Sequence, residues 1–344
     1  MRHLLLPSAV FLALAGGLAW HGPAAAAGQL NLLCSVQDEW CSLISTTFAR
    51  TSGIKVNLLK RGTGEALAQL IAERANPKTD VWFGGTGDPH LQAAEQGLTL
   101  EHKSPTLPQL HDWAQRQAQQ SGWRTVGLYS GPLGFAYNTE LLAKKKLPPP
   151  KCWKDLLSPA LRGEVQAANP ASSGTAYTMI ATIVQLMGED AAYAYLKGLH
   201  RNISQYARSG AGPIKAAARG ETAVSISFVH DAPGEQMQGF PIATVTPCEG
   251  TGAEIGSMSI VKGARNLDNA KKFYEWALSP AAQQLGVAAK QFQLPSHRQT
   301  PLDPRIPDFR QIKFIPYDHA KYGRSAERKR LIERWEREVN SLAR

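Results

Sequence analysis

Residues 30–60 read LNLLCSVQDEWCSLISTTFARTSGIKVNLLK and place a helical pattern between two short apolar runs. The runs LNLLC (30–34) and IKVNLLK (54–60) have the length of strands, whereas residues 40–51 repeat apolar side chains at helical spacing. A second helical pattern (65–75), the apolar run DVWFGG (80–85) and a third helical pattern (89–95) continue the alternation. This β–α–β–α–β order predicts an α/β fold with a mostly parallel sheet covered by helices.

A second α/β unit is predicted further along the chain. VGLY (126–129) and GFAYN (134–138) flank Gly131-Pro132 as two strand candidates. The strands EVQAAN (164–169), NISQYA (202–207) and AVSISF (223–228) then alternate with helical patterns over 175–187 and 212–219. CEGTGAEIGSMSIVKG (248–263) resembles a strand pair that returns to the first unit. We therefore expect two lobes, with the chain crossing near Tyr129 and near Gly250.

The expected domain boundaries follow from these crossings. Lobe 1 would comprise residues 28–128 and 251–300, and lobe 2 would comprise residues 129–250. Residues 301–344 would form a C-terminal extension that ends in an amphipathic helix, with Leu331, Ile332 and Trp335 on its apolar side. Ligands of open parallel sheets bind beyond the carboxyl ends of the strands, so we expect the ligand site in a cleft between the lobes.

The N-terminus predicts export. Residues 1–27 combine the positive charge of Arg2, an apolar run over 9–20 and a small-residue stretch over 24–27, the pattern of a cleaved signal peptide. We expect a periplasmic protein. A retained membrane anchor is the alternative, but Pro and Gly interrupt this short segment.

Composition and charge narrow the classes of protein. The 344 residues are 43% hydrophobic and 19% charged, which is typical of globular proteins. The formal net charge of +10 favours anionic partners. Because the excess charge lies in the Lys144–Lys146 run and the C-terminal helix without interleaved aromatic residues, nucleic acid is not an expected partner.

Four cysteines are too few for a disulfide scaffold, but an oxidising compartment permits pairing. A bridge from Cys34 to Cys41 would hold a strand-to-helix loop, and Cys152 and Cys248 could form a second bridge. A catalytic thiol is the alternative, yet no neighbouring residue has the character of its activating base. We favour two structural disulfides.

Four loops between strands and helices are rich in Gly, Ser and Thr: CSVQDEW (34–40), RGTGEAL (61–67), GGTGD (84–88) and NPASSGTAY (169–177). A helix N-terminus exposes unpaired N–H groups and carries partial positive charge, so such loops can bind phosphate or carboxylate. Ordinary helix capping by Ser or Thr is the alternative for any one loop. Convergence of four such loops would favour an anion site. Its candidate residues are Ser35, Thr63, Thr86, Ser172, Ser173, Gly174 and Thr175.

A second group of candidates follows the strand AVSISF. His230 and Asp231 come directly after this strand, and Glu249 lies in TPCEGTG. These side chains could hydrogen-bond a polyol, hold a metal ion or simply face water at a strand end. The sequence has no GxSxG, HExxH or GxxxxGK[ST] motif, and nothing in it favours an enzyme or a cofactor.

Long stretches resemble bacterial ABC-transporter substrate-binding proteins of the ferric-binding type, in the subgroup that binds sugar phosphates. They include DVWFGGTGDPHLQAAE (80–95), QAANPASSGTAYTMIATIVQLMGED (166–190), SISFVHD (225–231) and YGRSAERKRLIERW (322–335). CSVQDEWC (34–41) and CEGTGAEIGSMSIVKGARNLDNAKKFYEWAL (248–278) belong to the same resemblance. It implies a two-lobed protein that closes on its ligand and delivers it to a membrane permease.

The resemblance also bears on the ligand. Ferric-binding members carry adjacent tyrosines where this chain has Phe228-Val229-His230-Asp231, and Tyr193 and Tyr195 lie in a helical pattern elsewhere. In the sugar-phosphate subgroup, His230, Asp231 and Glu249 are implied to hold sugar hydroxyls while the Ser-Ser-Gly-Thr loop takes the phosphate. Ala253 departs from the subgroup, where an aromatic residue would be expected.

We therefore expect a periplasmic binding protein for a small phosphorylated sugar, a hexose phosphate, that serves an inner-membrane ABC permease. A carrier of ferric or another metal ion, using His230, Asp231 and Glu249, is one alternative. A subunit that presents its ligand to a sensor kinase is another. We expect a monomer.

Overall fold

The computed structural model describes residues 28–343, so the predicted signal peptide lies outside the described residues. The strands are β1 (Gln29–Cys34), β2 (Lys55–Lys60), β3 (Val81–Thr86), β4 (Val126–Asn138), β5 (Val165–Ala168), β6 (Ile203–Ala207), β7 (Val224–Phe228), β8 (Ile242–Val245), β9 (Ala253–Ile260) and β10 (Leu294–Pro295).

The helices lie between these strands and after them. They are α1 (Asp38–Ser52), α2 (Thr63–Ala72), α3 (Gly87–Glu95), α4 (Asp112–Gln120), α5 (Thr139–Lys145), α6 (Gly174–Met187), α7 (Glu189–His200), α8 (Gly212–Ala218), α9 (Ala232–Gln236), α10 (Leu267–Ala277), α11 (Pro280–Ala288), α12 (His319–Tyr322) and α13 (Ser325–Trp335). No helix in residues 28–343 combines the length and the apolar character that a membrane crossing requires.

Two sheets share strand β4. The first sheet has the order β2-β1-β3-β9-β4, in which β2, β1 and β3 are parallel. The second has the parallel strands β6, β5 and β7, followed by β4, with β8 on the other side of β4. The connecting strands β9 and β4 run antiparallel to their neighbours. The predicted parallel α/β units are therefore present, joined by antiparallel strands.

Strand β4 is one continuous strand, where we expected two strands on either side of Gly131-Pro132. Its first part pairs with β9 up to Pro132 opposite Ala253, and its second part pairs with β7 from Leu133 opposite Phe228. The bond from Leu133 N–H to the Gly252 carbonyl continues the ladder past the proline, which itself has no N–H to donate. The expected returning strand pair is likewise a single strand, β9. These two strands connect the lobes.

Each sheet has its own apolar core. In lobe 1, Trp40, Phe48 and Phe273 pack on one face of the first sheet, while Trp82 and Leu70 pack on the other. In lobe 2, a larger core surrounds Phe135, Trp153, Tyr177 and Ile180. Separate cores allow the two lobes to move as units about β4 and β9.

The C-terminal segment belongs to the core of lobe 2. Leu331, Trp335 and Val339 are fully buried in that core, and the hydroxyl of Tyr193 donates to the Leu331 carbonyl. The apolar side predicted for the terminal helix is therefore its packing face. Because α13 also lies beside α3 of lobe 1, the segment contacts both lobes.

Both expected disulfides form. The Cys34–Cys41 bridge joins the end of β1 to the first turn of α1, and it encloses Ser35 and Gln37. The Cys152–Cys248 bridge joins two segments of lobe 2 that lie 96 positions apart in sequence. The prediction of structural pairing is confirmed.

Candidate functional site

A cavity of about 490 Å3 lies between the lobes, at the carboxyl ends of the parallel strands. All four of the Gly-, Ser- and Thr-rich loops reach it. Ser35 follows β1, Thr63 begins α2, Thr86 ends β3, and Ser173 precedes α6. The N-termini of α1, α2, α3 and α6 therefore meet at one cavity, as the anion-site hypothesis requires.

Glycines allow these loops to approach closely. A Cβ atom on Gly174 would lie 1.7 Å from the Thr86 Oγ1 of the other lobe, and one on Gly85 would lie 2.7 Å from Thr63 Oγ1. Across the cleft, the Gly64 N–H donates to the Ser172 carbonyl at 3.2 Å. Larger side chains at these positions would hold the loops apart.

The loops present hydrogen-bond donors that the protein itself does not use. The hydroxyl oxygens of Thr86 and Ser173 are buried and have no hydrogen-bond partner within residues 28–343. An unpaired buried hydroxyl costs free energy unless another group satisfies it. Together with the N–H groups of the helix N-termini, these hydroxyls can bind an oxyanion.

Four cationic side chains line the same cavity, and sequence reasoning singled out none of them. Lys60 ends β2 and Arg61 follows it, Arg208 follows β6, and Lys215 lies on α8. Lys60 pairs with Asp38, Arg208 pairs with Glu65 across the cleft, and Lys215 lies 3.7 Å from Glu39. Arg61 comes directly after a predicted strand, and this position was the one sequence signal that could have indicated it as a cavity residue.

His230, Asp231 and Glu254 form a buried polar group beside these loops. His230 and Asp231 occupy the 3₁₀ turn that follows β7, and Glu254 lies on β9. The His230 Nε2 atom is 3.6 Å from Asp231 Oδ1 and 3.6 Å from Glu254 Oε1. A Cβ atom on Gly131 would lie 1.9 Å from His230 Nδ1, so a glycine in β4 makes room for the imidazole ring.

Burial shifts the pKa values of all three groups toward their neutral forms. It lowers the pKa of His230 to about 3, so the imidazole is uncharged at neutral pH. It raises the pKa of Asp231 to about 7, with a smaller contribution from the charge of Glu235. It also raises the pKa of Glu254 well above its usual value, and the neighbouring charge of Asp231 adds to this effect. A neutral imidazole has one donor nitrogen and one acceptor nitrogen, and a protonated carboxyl group can also donate. This polar group can therefore both donate to ligand hydroxyls and accept from them.

Gln37 links this polar group to the opposite lobe. Its Nε2 atom donates to Asp231 Oδ1 at 2.6 Å, from the loop that precedes α1. The Tyr129 hydroxyl lies in the same cavity and accepts the Gly85 N–H at 2.8 Å. Neither side chain was among the predicted site residues, because amide and phenol groups carry no distinctive pattern in sequence.

Two predicted site residues lie outside the cavity lining. The carboxylate of Glu249 accepts the N–H groups of Trp153 at 2.8 Å and Lys154 at 3.2 Å. Glu249 therefore fixes a turn of lobe 2. The acid that lies beside His230 and Asp231 in the cavity is Glu254. The Ser172 hydroxyl donates to the Arg208 carbonyl at 2.8 Å, so this side chain supports the loop.

The metal-ligand set considered from sequence is not assembled. His230 and Asp231 line the cavity, whereas Glu249 is held by backbone N–H groups elsewhere. Tyr193 and Tyr195 lie buried on α7, and their hydroxyls donate to the carbonyls of Leu331 and Trp153. Ala253 does not line this cavity and faces a separate groove beside Tyr317.

Known proteins match almost the whole chain. Residues 76–322 match the family model of bacterial extracellular solute-binding proteins. The periplasmic binding protein AfuA from Actinobacillus pleuropneumoniae, solved with exogenous fructose-6-phosphate bound, is 46% identical with a TM-score of 0.89. That match covers 92% of this chain and 99% of AfuA.

Two further structures place the fold. The periplasmic binding protein P5PA is 38% identical with a TM-score of 0.88, and the match covers 91% of this chain and 99% of P5PA. Iron-bound HitA from Pseudomonas aeruginosa is 20% identical with a TM-score of 0.74, and the match covers 89% of this chain and 98% of HitA. The likeness to HitA concerns the fold alone.

Proposed function

This chain belongs to the family of bacterial extracellular solute-binding proteins, and we propose that its solute is a small phosphorylated sugar, a hexose phosphate. The observation that carries the proposal is the pair of buried hydroxyls of Thr86 and Ser173, which have no hydrogen-bond partner in residues 28–343 and line one cavity from opposite lobes, at helix N-termini. The fructose-6-phosphate bound to AfuA supports the same ligand class.

The phosphate would bind where the loops meet. Its oxygens would accept from the N–H groups at the starts of α2 and α6 and from the two hydroxyls, with Arg61 and Arg208 supplying positive charge. A hydrogen bond to a charged group contributes roughly 1.5–3 kcal/mol, so three or four of them support micromolar binding after association costs.

The sugar hydroxyls would bind at the buried polar group. Asp231 and Glu254 would accept from hydroxyls, and His230 Nδ1, which has no protein partner in the described chain, would complete the set. Such groups reject an analogue that lacks the matching hydroxyl, because they would then be buried unpaired.

Closure would couple capture to delivery. Donors from both lobes can reach one phosphate only when the lobes are together, so the ligand shifts the equilibrium toward the closed form. We place the protein in the periplasm, where an inner-membrane ABC permease would receive the closed complex.

Titration calorimetry tests the proposal. Glucose 6-phosphate should bind with micromolar affinity, whereas glucose and inorganic phosphate should each bind at least about 100-fold more weakly. In Asp231→Ala, the affinity for glucose 6-phosphate should fall while the weak affinity for inorganic phosphate stays. Free glucose that binds as well as its phosphate would refute the anion site. Stoichiometric iron in the purified protein would favour a metal carrier instead.

A further inference from the structure

Arg328 of α13 lies behind the anion-binding loops without lining the cavity. Its Nη2 atom donates to the carbonyls of Pro170 at 3.1 Å and Ala171 at 3.4 Å, in the loop that leads to Ser173 and α6. Its guanidinium also lies over the Tyr177 ring, 5.3 Å from the ring centroid. The C-terminal helix therefore holds a cation against the back of the loop that we assign to the phosphate.

The same guanidinium touches lobe 1. A Cβ atom on Gly64, in the first turn of α2, would lie 3.1 Å from Arg328 Nη2. Arg328 also interacts electrostatically with Asp88, in the first turn of α3. One cation thus sits at the junction of α2, α3 and the loop before α6, three of the helix N-termini that reach the cavity.

The charge of Arg328 is incompletely compensated at this junction. Its Nε atom is buried and has no hydrogen-bond partner in residues 28–343. Burial raises the pKa of Asp88 to about 7, so this carboxyl is partly protonated near neutral pH. Helix N-termini carry partial positive charge and cannot stabilise a second cation. A bound dianion would supply the missing negative charge.

Resting on the proposed function, we propose that Arg328 is a positioning residue that makes closure of the cleft depend on the charge of the ligand. While the lobes are together without an anion, the incompletely compensated charge of Arg328 makes the closed form unfavourable. A phosphate dianion in the cavity supplies the opposite charge and stabilises the closed form. Arg328 thereby selects doubly charged esters over singly charged ones of the same shape. Its hydrogen bonds to the carbonyls of residues 170 and 171 also hold the loop that leads to Ser173.

Two esters of equal shape and different charge test this inference. At pH 7, Asp88 is still partly protonated. Glucose 6-phosphate is mostly a dianion at this pH because the second pKa of a phosphate ester is near 6, whereas glucose 6-sulfate is a monoanion. We expect Arg328→Gln to weaken glucose 6-phosphate about 10-fold and glucose 6-sulfate no more than about 3-fold, as measured by titration calorimetry. A residue that only supported the fold would weaken both esters equally.

Arg328→Lys keeps the positive charge but not the planar guanidinium, so it distinguishes an effect of charge from an effect of geometry. The same variant provides the test if Arg328→Gln does not fold. It keeps the positive charge, so the ratio of the two dissociation constants should stay within about 2-fold of wild type. Arg330→Gln is the matched control on the same helix, since Arg330 pairs with Glu189 and Glu327 on the surface, and both affinities should be unchanged.

The outcomes are distinguishable. Equal losses for both esters in Arg328→Gln, or a Lys variant whose ratio falls to that of Arg328→Gln, would overturn the role of Arg328 and leave the proposed function intact. A wild-type protein that binds neither ester would overturn both.

Discussion

Asp231 carries a carboxyl group that is only 8% exposed and that borders His230, Glu254 and the amide of Gln37. Its pKa is raised to about 7 chiefly by burial, so its ionised form is costly in the folded protein. A ligand hydroxyl that donates to this carboxylate would offset the cost. The residue is therefore arranged for binding at the expense of the stability of the free protein.

The raised pKa of Asp231 makes the free energy of unfolding depend on pH. A carboxyl whose folded pKa lies above its unfolded pKa contributes stability that is fully present below about pH 4 and is lost as the pH rises to about 7. We expect Asp231→Asn, which keeps the acceptor for Gln37, to leave the free energy of unfolding unchanged near pH 4. Above pH 7 the variant should be more stable than wild type by up to about 4 kcal/mol.

Urea unfolding without ligand, at several pH values, measures this difference. The opposite contribution of His230, whose folded pKa is lowered to about 3, is common to both proteins and cancels in the difference. A constant difference for Asp231→Asn would contradict the argument.

At the residue scale, most of the predicted hydroxyl residues line the cavity, whereas Glu254, rather than the predicted Glu249, lies beside His230. Ser35, Thr63, Thr86 and Ser173 follow strands or precede helices, and local order along the chain is enough to place them. Glu249 and Glu254 lie five positions apart, and only the pairing of β9 with β4 shows that the second faces His230. Such pairing is a property of tertiary structure.

At the scale of elements, the boundaries of most strands and helices followed from hydrophobic periodicity. α1 was expected over 40–51 and spans Asp38–Ser52, where Asp38 and Glu39 favour the helix N-terminus and Gly53 ends it with a φ of 74°. The continuity of β4 was not predictable, because Gly131-Pro132 is ordinarily a turn signal. Here the dipeptide lies at the passage between two sheets, where β4 changes partners.

The two disulfides should differ in what they stabilise. The Cys34–Cys41 bridge closes a short loop that contains Ser35 and Gln37, whereas the Cys152–Cys248 bridge closes a long one inside lobe 2. Loop-closure entropy assigns roughly 2–3 kcal/mol to the first and about 4–5 kcal/mol to the second. We expect Cys152→Ala/Cys248→Ala to lower the thermal unfolding temperature more, with ligand affinity unchanged.

The affinity for the ligand should depend more on the Cys34–Cys41 bridge than on the Cys152–Cys248 bridge. Cys34→Ala/Cys41→Ala frees the loop that carries Ser35 and Gln37, and ordering it again on binding should weaken glucose 6-phosphate by about 10-fold. Calorimetry and thermal unfolding on the same samples measure both effects. If the first pair of substitutions left the affinity as in wild type, the loop would hold its shape without the bridge.

For the whole molecule, the C-terminal segment changes the expected division into domains. Residues 301–344 were expected to extend from the two lobes, yet Leu331, Trp335 and Val339 complete the core of lobe 2. The chain therefore returns to lobe 2 after β9 and the helices of lobe 1. Amphipathic spacing predicted the apolar side of α13, but it could not identify the lobe that this side covers, since both lobes expose apolar faces until they are packed.

A single added methyl group at Gly174 should prevent the two lobes from closing. Gly174 begins α6, and a Cβ atom there would lie 1.7 Å from Thr86 Oγ1 of the opposite lobe, far inside contact distance. Because alanine is favoured over glycine within helices by about 1 kcal/mol, Gly174→Ala should keep or raise the stability of lobe 2. The added methyl group should nevertheless hold the lobes apart and weaken glucose 6-phosphate at least about 100-fold.

Small-angle X-ray scattering provides the readout that separates a blocked closure from a damaged site. The radius of gyration of the wild-type protein should decrease when glucose 6-phosphate is added, and that of Gly174→Ala should not change. Gly198→Ala on α7 is the matched control, because its Cβ atom would meet only the flexible end of Leu157 at 3.1 Å, remote from the cleft. If Gly174→Ala still bound the ester tightly and still contracted, the donors of the two lobes would not need to meet around a single phosphate, and capture would have to proceed from one lobe alone.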